Sequence, residues 1–344
     1  MQSKILMIYT GGTIGMKTDA ATGALVPFDF SGIYEEFPSL RRLDVELEAV
    51  TLGPIDSSNI TPDRWAELAD LLRANYDRFD GFVVLHGTDT MSYTASALSF
   101  LLENLAKPVV FTGSQIPIGV LRTDGRENLI TAIEIAAARH PETGLPRVPE
   151  VSLYFQNRLF RANRTSKRSA EALNAFRSYN YPPLAEVGVN IAYNTAAILP
   201  PAGTAGEPLR IGGPMCRDVM IVKLFPGLDP GLLERMLSFE QLRGVVLETY
   251  GSGNAPTSNR FLDTLQRAID RGLWVLNVTQ CGGGSVSMHL YETGLRLQRT
   301  GVLCGYDITA EAAVTKMMYV LGKNGSREET SALLKKPIRG EFTL

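Results

Sequence analysis

Threonine hydroxyls and glycines occur together in two short segments of the sequence, and each segment directly follows an apolar run. Residues 10–15 (TGGTIG) follow the apolar run at 5–8, and residues 87–90 (GTDT) follow the run at 82–85. Apolar runs of this length are typical of buried strands, and the carboxyl ends of parallel strands border the crevice where ligands bind. We therefore expect a site built around threonine oxygens, which suggests a threonine nucleophile.

The first segment offers Thr13 as a nucleophile and Gly12 as a backbone donor. Consecutive glycines let the backbone turn sharply and bring N–H groups close to a ligand, where they can stabilise an oxyanion. A plain tight turn with incidental threonines is the alternative. A phosphate-binding loop does not fit, because the glycines lack the GxGxxG spacing and no Lys-Ser/Thr pair follows them.

The second segment lies between a buried strand and the amino end of a predicted helix. Asp89 or Thr90 could simply cap that helix. The competing hypothesis makes Thr88 a hydroxyl relay and Asp89 the carboxylate that binds a substrate ammonium, with backbone N–H groups at Gly87 nearby. The positive end of the helix dipole would favour negative charge developing there.

Two further segments carry side chains that an amino-acid ligand needs. Asp56 with Ser57 and Ser58 supplies an acceptor for an ammonium and donors for a carboxylate, although the same triplet also suits an Asx turn. Lys167 lies in the basic run at 158–168, so it is either a solvated charge or a lysine buried beside a threonine that acts as a base. Ser114, in the segment that ends the strand predicted at 109–111, is a further candidate for substrate binding.

Composition and charge exclude several classes of protein. The chain of 344 residues has 34 Lys+Arg, 36 Asp+Glu and a formal net charge of -2, without the basic excess that nucleic-acid binding needs. No apolar run is long enough to span a bilayer and no secretory leader precedes the first strand, so we expect a cytoplasmic protein. The cysteines and histidines form no disulfide framework or metal motif, and we expect no metal or organic cofactor.

The elements that position these residues alternate between strand and helix. Strands are predicted at 5–9, 45–52, 82–85, 109–111 and 151–155, and helices beginning at 62 and spanning 92–105 and 127–138. This alternation predicts an α/β fold with a doubly wound, mainly parallel sheet and right-handed crossovers. We predict a larger N-terminal catalytic domain at 1–195, a Pro- and Gly-rich linker at 196–216 and a smaller C-terminal α/β domain at 217–344.

Together these segments resemble the bacterial type I, cytoplasmic L-asparaginases of the asparaginase/glutaminase superfamily. The resemblance runs nearly end to end. It rests on residues 9–16 (YTGGTIGM), 56–58 (DSS), 80–105, 112–117 (TGSQIP), 163–167 (NRTSK), 250–256 (YGSGNAP) and 279–281 (TQC).

The resemblance implies hydrolysis of L-asparagine to L-aspartate and ammonia. Thr13 matches the family's nucleophile, and three further residues match its second triad: Thr88, Asp89 and Lys167. Asp56 and Ser57 match the pair that binds the amino and carboxyl groups of the substrate. The resemblance also implies a homodimer or homotetramer in which a neighbouring C-terminal domain closes the site, with residues 251–254 as candidates. A glutamine-hydrolysing subunit of a tRNA amidotransferase and a non-catalytic amino-acid-binding protein are the alternatives.

The sequence departs from the family pattern at two points. Family members commonly carry a tyrosine about ten residues after the nucleophile, whereas residues 23–27 read GALVP. Either Tyr34 or another tyrosine substitutes for it, or Thr13 is activated differently. Some members bind asparagine at an allosteric site lined by an arginine. Glu248 stands at that position here, and its carboxylate would repel the effector's carboxylate.

Overall fold

The computed structural model describes residues 2–18, 23, 25–27, 34, 38–204 and 206–344. The chain divides into two compact units, Met1–Ile211 and Gly212–Leu344, here called unit 1 and unit 2. The division falls inside the segment 196–216 that is predicted as a linker. Arg210–Ile211, within that segment, forms a strand of unit 1.

Unit 1 contains a large, mainly parallel sheet and several two-stranded sheets. Its strands are β1 (Ser3–Tyr9), β2 (Met16–Thr18), β3 (Leu25–Pro27), β4 (Val45–Thr51), β5 (Gly81–Leu85), β6 (Leu102–Glu103), β7 (Val109–Thr112), β8 (Val151–Phe155), β9 (Arg158–Arg161), β10 (Ser166–Lys167), β11 (Phe176–Arg177), β12 (Ala185–Val187), β13 (Ile191–Tyr193) and β14 (Arg210–Ile211). Its helices are α1 (Pro62–Asn75), α2 (Met91–Leu101) and α3 (Gly125–Ala137).

The strand order of the large sheet explains where a site can form. Within the described residues it is β13-β12-β9-β8-β7-β5-β1-β4. The five strands from β8 to β4 are parallel, and the remaining pairings are antiparallel. The carboxyl ends of β4, β1, β5 and β7 are therefore neighbours at one edge of the sheet, and the loops that follow these strands carry the predicted site residues other than Lys167, which lies in β10.

The apolar content of each strand matches its place in this sheet. The central strands β5, β7 and β8 are buried along their whole length, as expected for strands covered on both faces. The edge strand β4 instead alternates buried valine and leucine with exposed glutamates. The predicted mainly parallel α/β fold is confirmed.

The structure corrects the predicted helix at 92–105. Helix α2 ends at Leu101, and Leu102–Glu103 turns into a short strand that pairs with Arg210–Ile211. Asn104 then adopts a left-handed conformation with φ 63°, which asparagine tolerates better than most residues. The prediction was therefore wrong at the carboxyl end of this helix.

Unit 2 contains a four-stranded parallel sheet in the order β15-β16-β17-β18. Its strands are β15 (Val219–Lys223), β16 (Gly244–Thr249), β17 (Trp274–Thr279) and β18 (Leu303–Cys304), and its helices are α4 (Pro230–Leu237), α5 (Asn259–Asp270), α6 (Glu292–Arg299), α7 (Ala310–Gly322) and α8 (Arg327–Lys335). The sequence predicts helices at 257–270, 311–321 and 326–335 in this unit, which correspond to α5, α7 and α8, whereas α4 and α6 are not predicted. In the described parts of the chain, no helix combines the length and apolarity needed to cross a membrane.

Candidate active site

A cavity of about 400 Å³ lies at the carboxyl ends of β4, β1 and β5. The loops after these three adjacent strands supply its walls. The lining residues are Tyr9, Gly11, Gly12, Thr13, Met16, Pro54, Ile55, Asp56, Ser57, Gly87, Thr88 and Asp89. Thr13 and Thr88, which are far apart in the sequence, thus face one cavity.

Glycines allow these three loops to touch. Gly12 has φ 89°, and a methyl group there would lie 2.4 Å from the Gly87 backbone. A methyl group on Gly87 would in turn lie 2.5 Å from Ser57 Oγ. Both distances are too short for any side chain, so the close approach of the loops requires glycine at these positions.

Thr13 begins a 3₁₀ turn, Thr13–Gly15, directly after the Gly12 bend. Its hydroxyl makes no hydrogen bond to any residue that the structure describes, and Thr13 lines the cavity. Tyr9 packs beside this turn, and its hydroxyl donates a long hydrogen bond of 3.4 Å to the Gly15 carbonyl oxygen. Burial raises the pKa of Tyr9, which favours the neutral phenol as a donor.

The segment 56–58 forms the Asx turn, and two of its residues, Asp56 and Ser57, also line the cavity. Asp56 Oδ1 accepts hydrogen bonds from the Ser58 backbone N at 2.8 Å and from Ser58 Oγ at 2.7 Å. These hydrogen bonds lower the pKa of the Asp56 carboxyl and stabilise its charged form. Asp56 and buried Ser57 line the cavity, whereas Ser58 directs its donors to Asp56 and is not a lining residue.

Lys167 reaches the second threonine loop from the short strand β10. Its Nζ donates to Thr88 Oγ1 at 2.9 Å and to Asp89 Oδ1 at 2.6 Å. The Lys167 side chain is only 16% exposed, whereas that of Asp89 is 67% exposed. The structure therefore brings Thr88, Asp89 and Lys167 together, and Lys167 is not a solvated surface charge.

Two arginines of the basic run around Lys167 are buried, whereas Arg158 and Arg168 are exposed. Arg161 and Arg164 are both buried, at 3% and 2% exposure. Arg161 donates from Nε to Glu150 Oε2 at 2.7 Å and from its guanidinium to the Ala197 carbonyl oxygen at 2.7 Å. Burial raises the pKa of Glu150, and the Arg161 charge opposes this shift. This buried ion pair fixes the chain just before Lys167.

Capping of α2 by Asp89 or Thr90, one interpretation of the second threonine loop, is not seen in the structure. Thr90 stands at the amino-terminal cap position of α2, but its hydroxyl donates to the Ser57 carbonyl oxygen at 2.7 Å instead of accepting from the helix. This bond joins the second threonine loop to the Asp56 loop. The Asp89 carboxylate forms an ion pair with Lys167, so neither Thr90 nor Asp89 caps the helix with its side chain.

His86 lies beneath the second threonine loop and is almost completely buried. Its Nδ1 lies 2.8 Å from the Gly87 carbonyl oxygen, so this nitrogen carries the proton and donates. Burial lowers the pKa of His86 to about 4, and the ring is neutral at physiological pH. Among the described residues, no three His, Cys, Asp or Glu side chains cluster in a way that could hold a metal ion.

Comparison with known proteins identifies the family to which this arrangement belongs. A family model described as "Asparaginase, N-terminal" matches residues 4–199, and one described as "Glutaminase/Asparaginase C-terminal domain" matches residues 218–334. The chain belongs to the asparaginase family. Members of this family are amidohydrolases, so the chain is an amidohydrolase.

Individual asparaginase-family relatives match over the whole chain. L-asparaginase 1 of Escherichia coli (strain K12) is 42% identical over 347 residues, covering 100% of this chain and 99% of that protein. The 60 kDa lysophospholipase of Mus musculus is 39% identical, covering 100% of this chain and 63% of the relative. The crystal structure of L-asparaginase I from Vibrio cholerae matches with a TM-score of 0.89 and 40% identity, covering 100% of both chains.

The structure describes Tyr34 and Glu248, which belong to the two departures from the asparaginase pattern. Tyr34 accepts a hydrogen bond from the Leu47 backbone N at 3.3 Å and packs against the core of unit 1. Ala24, in the stretch that lacks the family's tyrosine, lies outside the described residues. Glu248, in β16 of unit 2, forms an ion pair with Lys223 at 3.7 Å.

The loop after β7 carries Ser114, which the sequence offers as a candidate for substrate binding. Ser114 is buried, its hydroxyl has no partner among the described residues, and it is not a lining residue of the cavity. The next residue, Gln115, instead accepts a hydrogen bond from Thr88 Oγ1 at 3.1 Å. Gln115 is not predicted as a site residue. The sequence indicates Gln115 only through its position after β7, a strand that neighbours β5 in the same parallel sheet.

Proposed function

We propose that this protein is an L-asparaginase that hydrolyses L-asparagine to L-aspartate and ammonia, with Thr13 as the nucleophile. The observation that carries this proposal is the shared cavity of Thr13 and Thr88, together with the contact between Thr88 and Lys167. Hydroxyl and amine side chains in this arrangement can perform nucleophilic catalysis without histidine.

The charges around the cavity suit a zwitterionic amino acid. Asp56, whose pKa is lowered by its Ser58 hydrogen bonds, accepts the substrate ammonium, and Ser57 donates to the substrate carboxylate. Asp89 is a second acceptor for the ammonium, because its contact with Lys167 uses Oδ1 and its side chain is largely exposed. Held by both charged ends, the substrate places its side-chain amide against Thr13.

The reaction then proceeds in two steps. Thr13 Oγ bonds to the amide carbon and gives up its proton. The carbon–nitrogen bond breaks, and the nitrogen leaves as ammonia after gaining a proton. A water molecule next attacks the resulting ester, which releases L-aspartate and restores the Thr13 hydroxyl. Backbone N–H groups at Gly12 and Gly87 stabilise the oxyanion, and removing one such donor typically costs about 100- to 1000-fold in rate.

Lys167 acts as the base through Thr88. When the lysine is neutral, its Nζ can accept the Thr88 proton over the 2.9 Å that separates the two atoms, and Thr88 can take a proton from the attacking group. Tyr9, the tyrosine that lines the cavity, is a neutral donor whose hydroxyl holds the Gly15 carbonyl oxygen. It positions the Thr13 turn and does not deprotonate Thr13.

An ammonia-release assay with both amides over a concentration series tests the proposal. We expect turnover of L-asparagine with a higher kcat/KM than that of L-glutamine. Turnover of glutamine alone would instead support an amidotransferase-type glutaminase. Calorimetric binding of asparagine without ammonia release would support a binding protein.

A further inference from the structure

The side-chain amide of Gln115 connects two parts of the site. Gln115 follows β7, the strand next to β5, which precedes Thr88. Its Oε1 accepts a hydrogen bond from Thr88 Oγ1 at 3.1 Å. Its Nε2 donates to the carbonyl oxygens of Ala170 and Ala172 at 3.1 and 3.3 Å, just beyond Lys167. One amide therefore joins the threonine loop to the segment that carries the lysine.

The orientation of this amide is fixed by its partners. Carbonyl oxygens can only accept hydrogen bonds, so the nitrogen of the amide must face Ala170 and Ala172, and the oxygen must face Thr88. The backbone is held as well, because the Gln115 N donates to both oxygens of Asp124 at 3.1 and 3.0 Å. Asp124 is itself 5% exposed, which makes this anchor rigid.

The amide also determines how Thr88 contacts Lys167. A threonine hydroxyl has one proton and two acceptor lone pairs. In this structure the proton is donated to Gln115, and a lone pair receives the Lys167 Nζ–H. In the proposed relay the hydroxyl turns about its C–O bond to give that proton to Lys167 Nζ, while the Thr88 oxygen stays in place. Rotation of Thr88 about χ1 would break both bonds at once. A threonine without the Gln115 acceptor could occupy other staggered rotamers, in which its oxygen is turned away from the lysine.

We propose that Gln115 is a positioning residue that keeps Thr88 Oγ1 and Lys167 Nζ within hydrogen-bond distance. This inference rests on the proposed function, because it assigns Thr88 and Lys167 to the proton relay. Gln115 is not a lining residue of the cavity and acts only through Thr88 and the Lys167 segment. Its replacement should therefore slow the chemical step and leave substrate binding unchanged.

Steady-state kinetics of Gln115→Met test the proposal. Methionine has a similar length and fills the same space, but it can neither accept from Thr88 nor donate to the two carbonyl oxygens. We expect kcat to fall by about tenfold or more, and KM to stay within about threefold. Gln298→Met, at an exposed position of α6, is the matched control and should leave both constants unchanged. If Gln115→Met does not fold, Gln115→Asn takes its place, because it keeps the amide but is too short to reach both partners.

The outcomes separate this inference from the proposed function. A kcat within threefold of the wild type would overturn the positioning role, and so would a raised KM with unchanged kcat. If the wild type releases no ammonia from asparagine, the proposed function fails, and crystal structures of both proteins then test the geometry alone. We expect the variant to separate Thr88 Oγ1 from Lys167 Nζ by more than about 3.5 Å or to show Thr88 in a second rotamer. An unchanged separation of 2.9 Å and a single rotamer would overturn the proposal.

Discussion

Asp56 shows how one residue can have both a structural role in its loop and a chemical role in the proposed site. Asp56 forms the Asx turn that any Asp-Ser-Ser triplet could form, and the same hydrogen bonds keep its carboxylate charged at the cavity wall. The strand order predicted that the loops carrying Thr13, Asp56 and Thr88 meet, because strand ends in a parallel sheet share one edge. It did not predict Gln115, since the contact of Gln115 to Thr88 depends on the path of a loop and not on any local pattern.

His86 predicts that the protein loses stability in acid. The native ring stays neutral down to about pH 4, whereas the unfolded chain takes up this proton near pH 6.5. Between these values the unfolded state binds more protons, so the free energy of unfolding falls as the pH falls. The difference between a pKa of 6.5 in the unfolded chain and about 4 in the native protein corresponds to about 3 kcal/mol in the free energy of unfolding.

Urea unfolding of the wild type and His86→Gln at pH 7.5 and 4.5 measures this effect. Glutamine does not titrate and can still donate to the Gly87 carbonyl oxygen, so the variant should lose about 2–3 kcal/mol less between the two pH values. His289→Gln, at an exposed histidine, is the control and should follow the wild type. Equal losses in the wild type and His86→Gln would contradict the assignment of a buried neutral ring.

At the scale of elements, the strands that precede the site loops could be predicted from the sequence, whereas contacts between distant segments could not. Continuous apolar runs predicted β1, β5, β7 and β8, because strands buried on both faces need no polar side chains. The pairing of Leu102–Glu103 with Arg210–Ile211 joins segments about a hundred residues apart, and nothing local indicates it. Lys316 likewise has no sequence signal for complete burial, which depends on its ion pair with Glu341 at 2.7 Å.

The packing of the three loops predicts that Gly12→Ala abolishes most activity. A methyl group there meets the Gly87 backbone at 2.4 Å, so the two loops must separate. A displacement of about 1 Å in an active site can cost about 100-fold in rate, and we expect a loss of kcat/KM of at least this size.

Gly272→Ala is the matched control for this prediction. Gly272 also has a positive φ of 106°, but no atom lies within 4 Å of a methyl group at that position. We expect Gly272→Ala to lower the free energy of unfolding by roughly 1–2 kcal/mol, because of backbone strain alone, and to leave kcat/KM unchanged. Wild-type kcat/KM in Gly12→Ala would contradict the close packing of the loops.

At the scale of the whole molecule, two carboxylates of the proposed site are exposed in the part of the chain that the structure describes. Asp89 is 67% exposed and Asp56 is also exposed, although both are assigned to the substrate ammonium. Charged contacts of this kind gain strength when water is excluded, so we expect a second copy of the chain to cover the cavity. This is the homodimer or homotetramer that the family resemblance implies.

Assembly should therefore limit activity at low protein concentration. Light scattering after size exclusion should give a dimer or a tetramer, and specific activity should fall as dilution shifts the protein toward single chains. Both quantities are measured on the same dilution series. A monomer with constant specific activity over the whole series would contradict closure of the site by a second copy.

The central claim is that the Thr13 hydroxyl attacks the amide. Ammonia release at saturating L-asparagine from Thr13→Ala, compared with Thr13→Ser and the wild type, tests it most directly. We predict that Thr13→Ala folds like the wild type and loses activity by about 10⁴-fold or more, while Thr13→Ser keeps a measurable rate because its hydroxyl remains. Substantial ammonia release by folded Thr13→Ala would contradict the account.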